Sequence, residues 1–175
     1  METCLTLRHA ARLPQDRYRG RKHVGHDSAG PVSRSNPAQT ERARRLLEHE
    51  SAAAAGAGTT NYDPRTAASR VYDRLHEQMA PLVGVAGVQL LFVRSAKLAK
   101  GEFAWLSDVS ILEGSAKLRE RLQAQDPAVS SESAVNLFGT FFALVTTLIG
   151  ERLTTQILRG AWPTIADAAL TDTDQ

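Results

Sequence analysis

The sequence predicts an all-α fold: a compact bundle of four or five helices with a long central C-terminal helix, preceded by a disordered basic N-terminal arm. Three observations carry this expectation. From Ala134 to Ile149 the strongly polar side chains are confined to Asn136, Thr140, Thr146 and Thr147. The rest of that helical circumference is apolar, so most of it needs cover from other protein. Asp63-Pro64 then places a good N-cap before a proline at the first helical position, and Ala67/Ala68, Val71, Leu75 and Met79 follow at helical spacing. Finally, the first 39 residues lack hydrophobic periodicity and are punctuated by Pro14, Gly20, Gly25, Gly30, Pro31 and Pro37. Such a segment buries too little apolar surface to offset the entropy of ordering it.

Element by element, this gives a disordered basic arm over residues 1–39, a short helix and linker over 40–62, an all-helical domain over 63–170 and an acidic tail over 171–175. Thr40 caps a helix across Glu41–Ala55 whose apolar anchors are Ala43, Leu46 and Leu47. Alone, such a helix is marginal in water. Pro81 is expected to end the next helix near Ala80. Val85, Val88, Leu91/Phe92, Ser95 and Ala99 trace the following helical face. Glu102–Leu112 reads as a short helix or irregular turn with Trp105 in the core. Ser115–Ala124 is a charged helix anchored by Leu118 and Leu122. Ser130 or Ser131 caps the long helix, which runs to Trp162-Pro163 with Asn136, Thr140, Thr147, Glu151 and Thr154 as its watered stripe. Ile165–Leu170 adds a last short helix.

Composition narrows the function classes. The chain has 175 residues, 42% hydrophobic and 23% charged, ordinary values for a globular protein. Cys4 is the only cysteine, which excludes an intramolecular disulfide framework and a cysteine-built zinc site. Met1–Arg12 carries Arg8, His9 and Arg12 in place of an apolar leader, so the expected location is cytoplasmic. The apolar run Ala134–Ile149 is shorter than the roughly 20 residues of a spanning helix, so no membrane span is expected. The net charge of +2 hides an asymmetry: residues 1–45 hold ten Lys/Arg against four Asp/Glu, and residues 46–175 hold eleven against fifteen. A basic arm is thus attached to a mildly acidic body. The excess of arginine over lysine, with abundant alanine, is also what a GC-rich bacterial genome writes.

Few motifs carry chemistry. Arg17, Arg19, Arg21 and Lys22 surround Tyr18, a cluster suited to weak, sequence-independent nucleic-acid tethering because cations neutralise phosphates and the ring stacks on bases. His23 and His26 lack the further organised ligands that a metal needs. Glu48-His49-Glu50 reads as an exposed charged patch. Gly139 and Ala143, one helical turn apart, suit the close approach of another helix. The sequence assembles neither a Ser/His/Asp set nor a paired-carboxylate site, and neither a metal nor a cofactor is implied.

His76-Glu77-Gln78-Met79-Ala80-Pro81-Leu82 resembles the phospho-acceptor box of sensor histidine kinases, in which His-Glu lies on a helix with Pro-Leu following at this spacing. The resemblance covers seven residues. It implies phosphorylation of an exposed His76 with Glu77 orienting the ring, on the first helix of an antiparallel pair. It departs at Met79 and Ala80, where the family has a basic residue followed by Thr or Asn, and no nucleotide-binding glycine boxes follow.

The functional expectation is a non-catalytic helical regulatory or protein-interaction module that binds another protein or itself as a homodimer. Phe138, Phe141, Phe142 and Val145 are the candidate interaction helix. The alternatives are histidine phosphotransfer at His76, or a sensor holding an apolar ligand among Phe138, Phe142, Trp105 and Met79.

Overall fold

The computed structural model describes residues 36–56, 64–107 and 114–165, all within one unit, Ser33–Gln175. They form an all-α bundle: α1 (Pro37–Gly56), α2 (Pro64–Ala99), α3 (Ser115–Gln123), α4 (Pro127–Ile149) and α5 (Glu151–Ala161), with one 3₁₀ turn, Ala104–Ser107. The basic arm and the expected helix over Ile165–Leu170 fall, apart from Asn36–Gln39 and Ile165, outside the described residues, as does the acidic tail.

Three helices start with proline at the first position, after Asn36, Asp63 and Asp126. Proline suits that position because its missing N–H has no intrahelical partner to lose. Asn36 Oδ1 accepts from the Ala38 amide at 3.1 Å, and Asp126 Oδ1 accepts from the Ala128 amide at 2.9 Å. Helix α1 therefore begins before Thr40, and α4 before Ser130 and Ser131. Ser130 is instead buried, its hydroxyl donating to the Leu122 carbonyl at 2.6 Å.

Glycine, rather than proline, reverses the chain. Helix α2 passes through Pro81 and breaks at Gly84, with φ 76° and ψ 157°. Pro81 is exposed, so water can satisfy the carbonyl whose amide partner proline removes. The conformation at Gly84 is essentially closed to residues with a Cβ. The two halves of α2 then fold back on each other: the rings of Tyr72 and Phe92 lie 4.5 Å apart, whereas 20 residues of unbroken helix would separate them by about 30 Å. Gly150 repeats the device with φ 84° and ψ 158°. It splits the expected single helix Ser131–Pro163 into α4 and α5.

Helix α4 is the core helix. Phe138, Phe141 and Phe142 are fully buried, and Phe92 stacks on Phe141 at 4.1 Å and meets Phe138 edge-on at 6.1 Å. Offset and edge-to-face pairs of this kind add about 0.5–1.5 kcal/mol each beyond area burial. Trp105 is only half-buried, and its neighbour Leu106 fills the core position.

Helix α1 is part of this body rather than a tethered extra. Ala43, Leu46 and Leu47 are buried, and Gly139 admits the Thr40 backbone so closely that a Cβ there would sit 3.1 Å from the Thr40 Cα. Glu50, expected at the surface, is 1% exposed. It accepts from Trp162 Nε1 at 2.7 Å and pairs with Arg74 at 3.0 Å. Arg74 also donates to the Ala161 carbonyl at 2.8 Å, so one buried carboxylate ties α1, α2 and α5 together.

Candidate functional site

The direction of the helices decides which turns share an end of the bundle. Arg65, at the start of α2, donates to the Gln125 carbonyl just ahead of α4, at 3.1 Å. Further along both helices, Tyr72 reaches the Phe92 ring and Phe92 reaches Phe141. The first half of α2 and all of α4 therefore run the same way. From the aromatic level, α2 continues for about 18 Å from Tyr72 to Gly84 and α4 for about 13 Å from Phe141 to Gly150. Both glycine turns emerge at one end.

That end is apolar and uncovered. Residues 78–93 and 133–150 contain no charged side chain. On the first turn Leu82 is 59% exposed and Val85 53%; by the second Leu148 is 65% exposed, and Leu153 follows on α5; Leu90, 67% exposed, lies about 9 Å further along α2, near the level of Phe92. Scattered exposed aliphatics are ordinary, whereas a contiguous group at one end marks an interaction site. Two helices, Arg65–Ala99 and Pro127–Ile149, are long and apolar enough to cross a membrane by length and composition. They differ in cover: the most apolar window is 56% buried in α4 and 28% in α2.

Charged groups border this end. Glu151, directly after Gly150, is held by Arg42, whose own side chain is buried. Burial alone raises the Glu151 carboxyl. Arg42, by hydrogen bond and charge, and hydrogen bonds from Thr155 and Thr146 outweigh that and hold it below its ordinary value. Arg152, next in the chain after Glu151, is exposed, as is Glu77 on the first half of α2.

The expected interaction helix is not available to a partner. Phe138, Phe141, Phe142 and Val145 are buried inside the single chain because α1 and both halves of α2 cover α4 at that level. The apolar surface that remains is the glycine-turn end, which sequence reasoning missed. Its signal is present in the charge-free runs around Gly84 and ahead of Gly150. Of the rings proposed to hold a ligand, Phe138 packs on Phe92 and Phe142 on Phe141, Trp105 lies half-buried against that core, and Met79 is part of it.

His76 lies on the first half of α2, half-buried, with its ring stacked on Tyr72 at 6.2 Å; Glu77 is exposed. Arg17, Arg19, Arg21 and Lys22 lie outside the described residues. Among the described residues no three His, Cys, Asp or Glu side chains converge as metal ligands.

The described residues form a helical bundle with exposed apolar side chains at its two glycine turns. No protein-family model, curated protein or solved structure matches the chain.

Proposed function

We propose that this protein is a non-catalytic docking module that engages its partner through the apolar pole formed by the Gly84 and Gly150 turns. The observation that supports the reading is the exposure of Leu82, Val83 and Val85 around the Gly84 turn and of Leu148 beside the Gly150 turn. In the absence of another partner the same surface supports self-association, because an apolar patch is complementary to its own copy about a two-fold axis. Light scattering on the full chain across the micromolar range tests this. The expected result is a mass that rises with concentration, and a Leu82→Asp/Val85→Asp double variant that stays monomeric. A wild-type chain that remains monomeric and binds no apolar dye at these positions would overturn the docking reading.

A phosphotransfer reading draws on one observation, the antiparallel helical pair on which His76 and Glu77 sit. Its test is transfer from a phosphorylated receiver domain. An acid-labile label absent in His76→Gln is the required outcome, and no label ends it.

A further inference from the structure

We propose that α1 is the chain's own occupant of a helix-binding groove on α4 and α5. The external partner of that groove is an amphipathic protein helix that presents a cation and, two turns later, a carboxylate on its buried face. The inference stands apart from the glycine turns and goes beyond the docking reading.

The first argument is how α1 is held. Gln39, Arg42, Glu50 and Ser51 are buried on its inner face alongside Ala43, Leu46 and Leu47. Most of that face is therefore polar, whereas the contact of α2 with α4 is aromatic, Phe92 meeting Phe138 and Phe141. Buried polar groups stabilise only when they are paired. Arg42 Nε and Ser51 Oγ are buried without a hydrogen-bond partner among the described residues. Buried ion pairs add little net stability, yet breaking one is costly, so they set register more than they hold. Helix α1 also precedes every other helix in the chain. It can lift away without opening any connection among α2, α3, α4 and α5.

The second argument is that the groove reads charge at two points. Both lie at the ends of α5. Glu151, its first residue, takes Arg42. At the far end Trp162 Nε1 donates to Glu50 at 2.7 Å, and Arg74 pairs with the same carboxylate at 3.0 Å. Arg42 and Glu50 are separated by about 12 Å of helix. On α4, Gly139 leaves room for the incoming backbone at Thr40. A helix laid in the reverse direction would set its carboxylate against Glu151 and its cation against Arg74. The groove thus selects both composition and direction, by repulsion as well as attraction. With α1 in place the groove is closed, so α1 is an autoinhibitory contact. A partner binds with an affinity reduced by the fraction of chains in which α1 is lifted.

The test uses the full chain, with a fluorescein-labelled peptide of residues 36–56 as the probe. Native-state hydrogen exchange should show α1 amides opening at least ~10-fold more readily than those of Phe138–Val145, because α1 leaves as a unit. The peptide should bind the full chain, and Arg42→Glu or Glu50→Gln in the peptide should weaken it at least ~10-fold. In a Glu151→Lys chain the preference should reverse, the Arg42→Glu peptide binding more tightly than the unaltered one. Exchange protection of Phe138–Val145 checks that this chain stays folded. Leu82→Asp/Val85→Asp should leave peptide binding unchanged, so this proposal and the docking reading fail separately.

Amides of α1 that exchange only with those of α4 would make α1 a permanent part of the core and overturn the proposal. Peptide binding indifferent to Arg42 and Glu50 would be apolar adhesion, and would overturn it equally. Absence of peptide binding to both chains would remove the groove as a site.

Discussion

Leu90 and Phe92 stand two residues apart on the same helix, in the same charge-free stretch, and end in opposite environments: Leu90 is 67% exposed and Phe92 is fully buried. The contrast repeats on α4, where Phe141 and Phe142 are sealed and Leu148 is open. Hydropathy does not separate the members of these pairs. Angular position separates the first pair, about 200° apart on one helix and only about 3 Å along it, and level along the bundle separates the second. At the level of Phe92, the halves of α2 and helix α4 all present side chains to one another, and α1 covers α4 from outside. Beyond the level of Met79 the two turns run on without a neighbour. The middle of the molecule is therefore built for stability and its end for contact, out of the same residue types.

The largest effect that would test this division is at the centre. Phe92→Ala removes the ring that touches Tyr72, Phe138 and Phe141, and should cost about 3–5 kcal/mol in a denaturant melt. A loss below about 1 kcal/mol would mean that the core is not organised around that ring.

The turns come next. Gly84→Ala and Gly150→Ala each force a Cβ into a glycine-only conformation, although nothing lies within 4 Å of the added atom at either site. Strain without a clash should cost about 1–3 kcal/mol. Equal losses at the two positions are expected because the two backbones match; a neutral substitution at Gly84 would show that α2 can reverse by another route.

A smaller effect is tied to pH. The Glu151 carboxyl titrates lower in the folded chain than its ordinary 4.5. The unfolded chain therefore binds more protons in this range, and stability rises with pH through it. The contribution is complete above about pH 4.5 and is lost as pH falls through the lowered folded value. The side chain is 48% exposed, so screening keeps the contribution under about 1 kcal/mol. Glu151→Gln should flatten that part of the acid limb, and an unchanged limb would show that the Arg42 pair contributes nothing.

The smallest stability change is expected at the pole. Val85→Asp should shift the melting midpoint by no more than a surface substitution does, within about 0.5 kcal/mol, while abolishing docking. Destabilisation on the scale of Phe92→Ala would erase the distinction between the two regions.

The beginnings of the helices were legible in the sequence because capping is local. Asp63-Pro64 was read correctly as a start, and the same two-residue logic at Asn36-Pro37 and Asp126-Pro127 was passed over for Thr40 and for Ser130 or Ser131. The reversals were misplaced for a related reason. Pro81 drew attention as a breaker, yet one missing amide at an exposed site is cheap to satisfy, and Gly84 and Gly150 alone permit the backbone that turns the chain.

What the sequence determined by itself was the all-α class, the helix-forming segments and α4 as the apolar centre, since these follow from periodicities of a few residues. What only the tertiary structure decided was which of those apolar and charged residues are covered. Glu50 is buried because Arg74 and Trp162, from helices distant in the chain, meet it there. Phe138, Phe141 and Phe142 are withheld from partners because α1, marginal on its own, docks over Gly139. Leu82, Val85 and Leu148 are exposed because two helical turns end where no further segment of the described chain covers them. Burial is a property of where the neighbours lie, and neighbours far apart in sequence leave no local pattern to read.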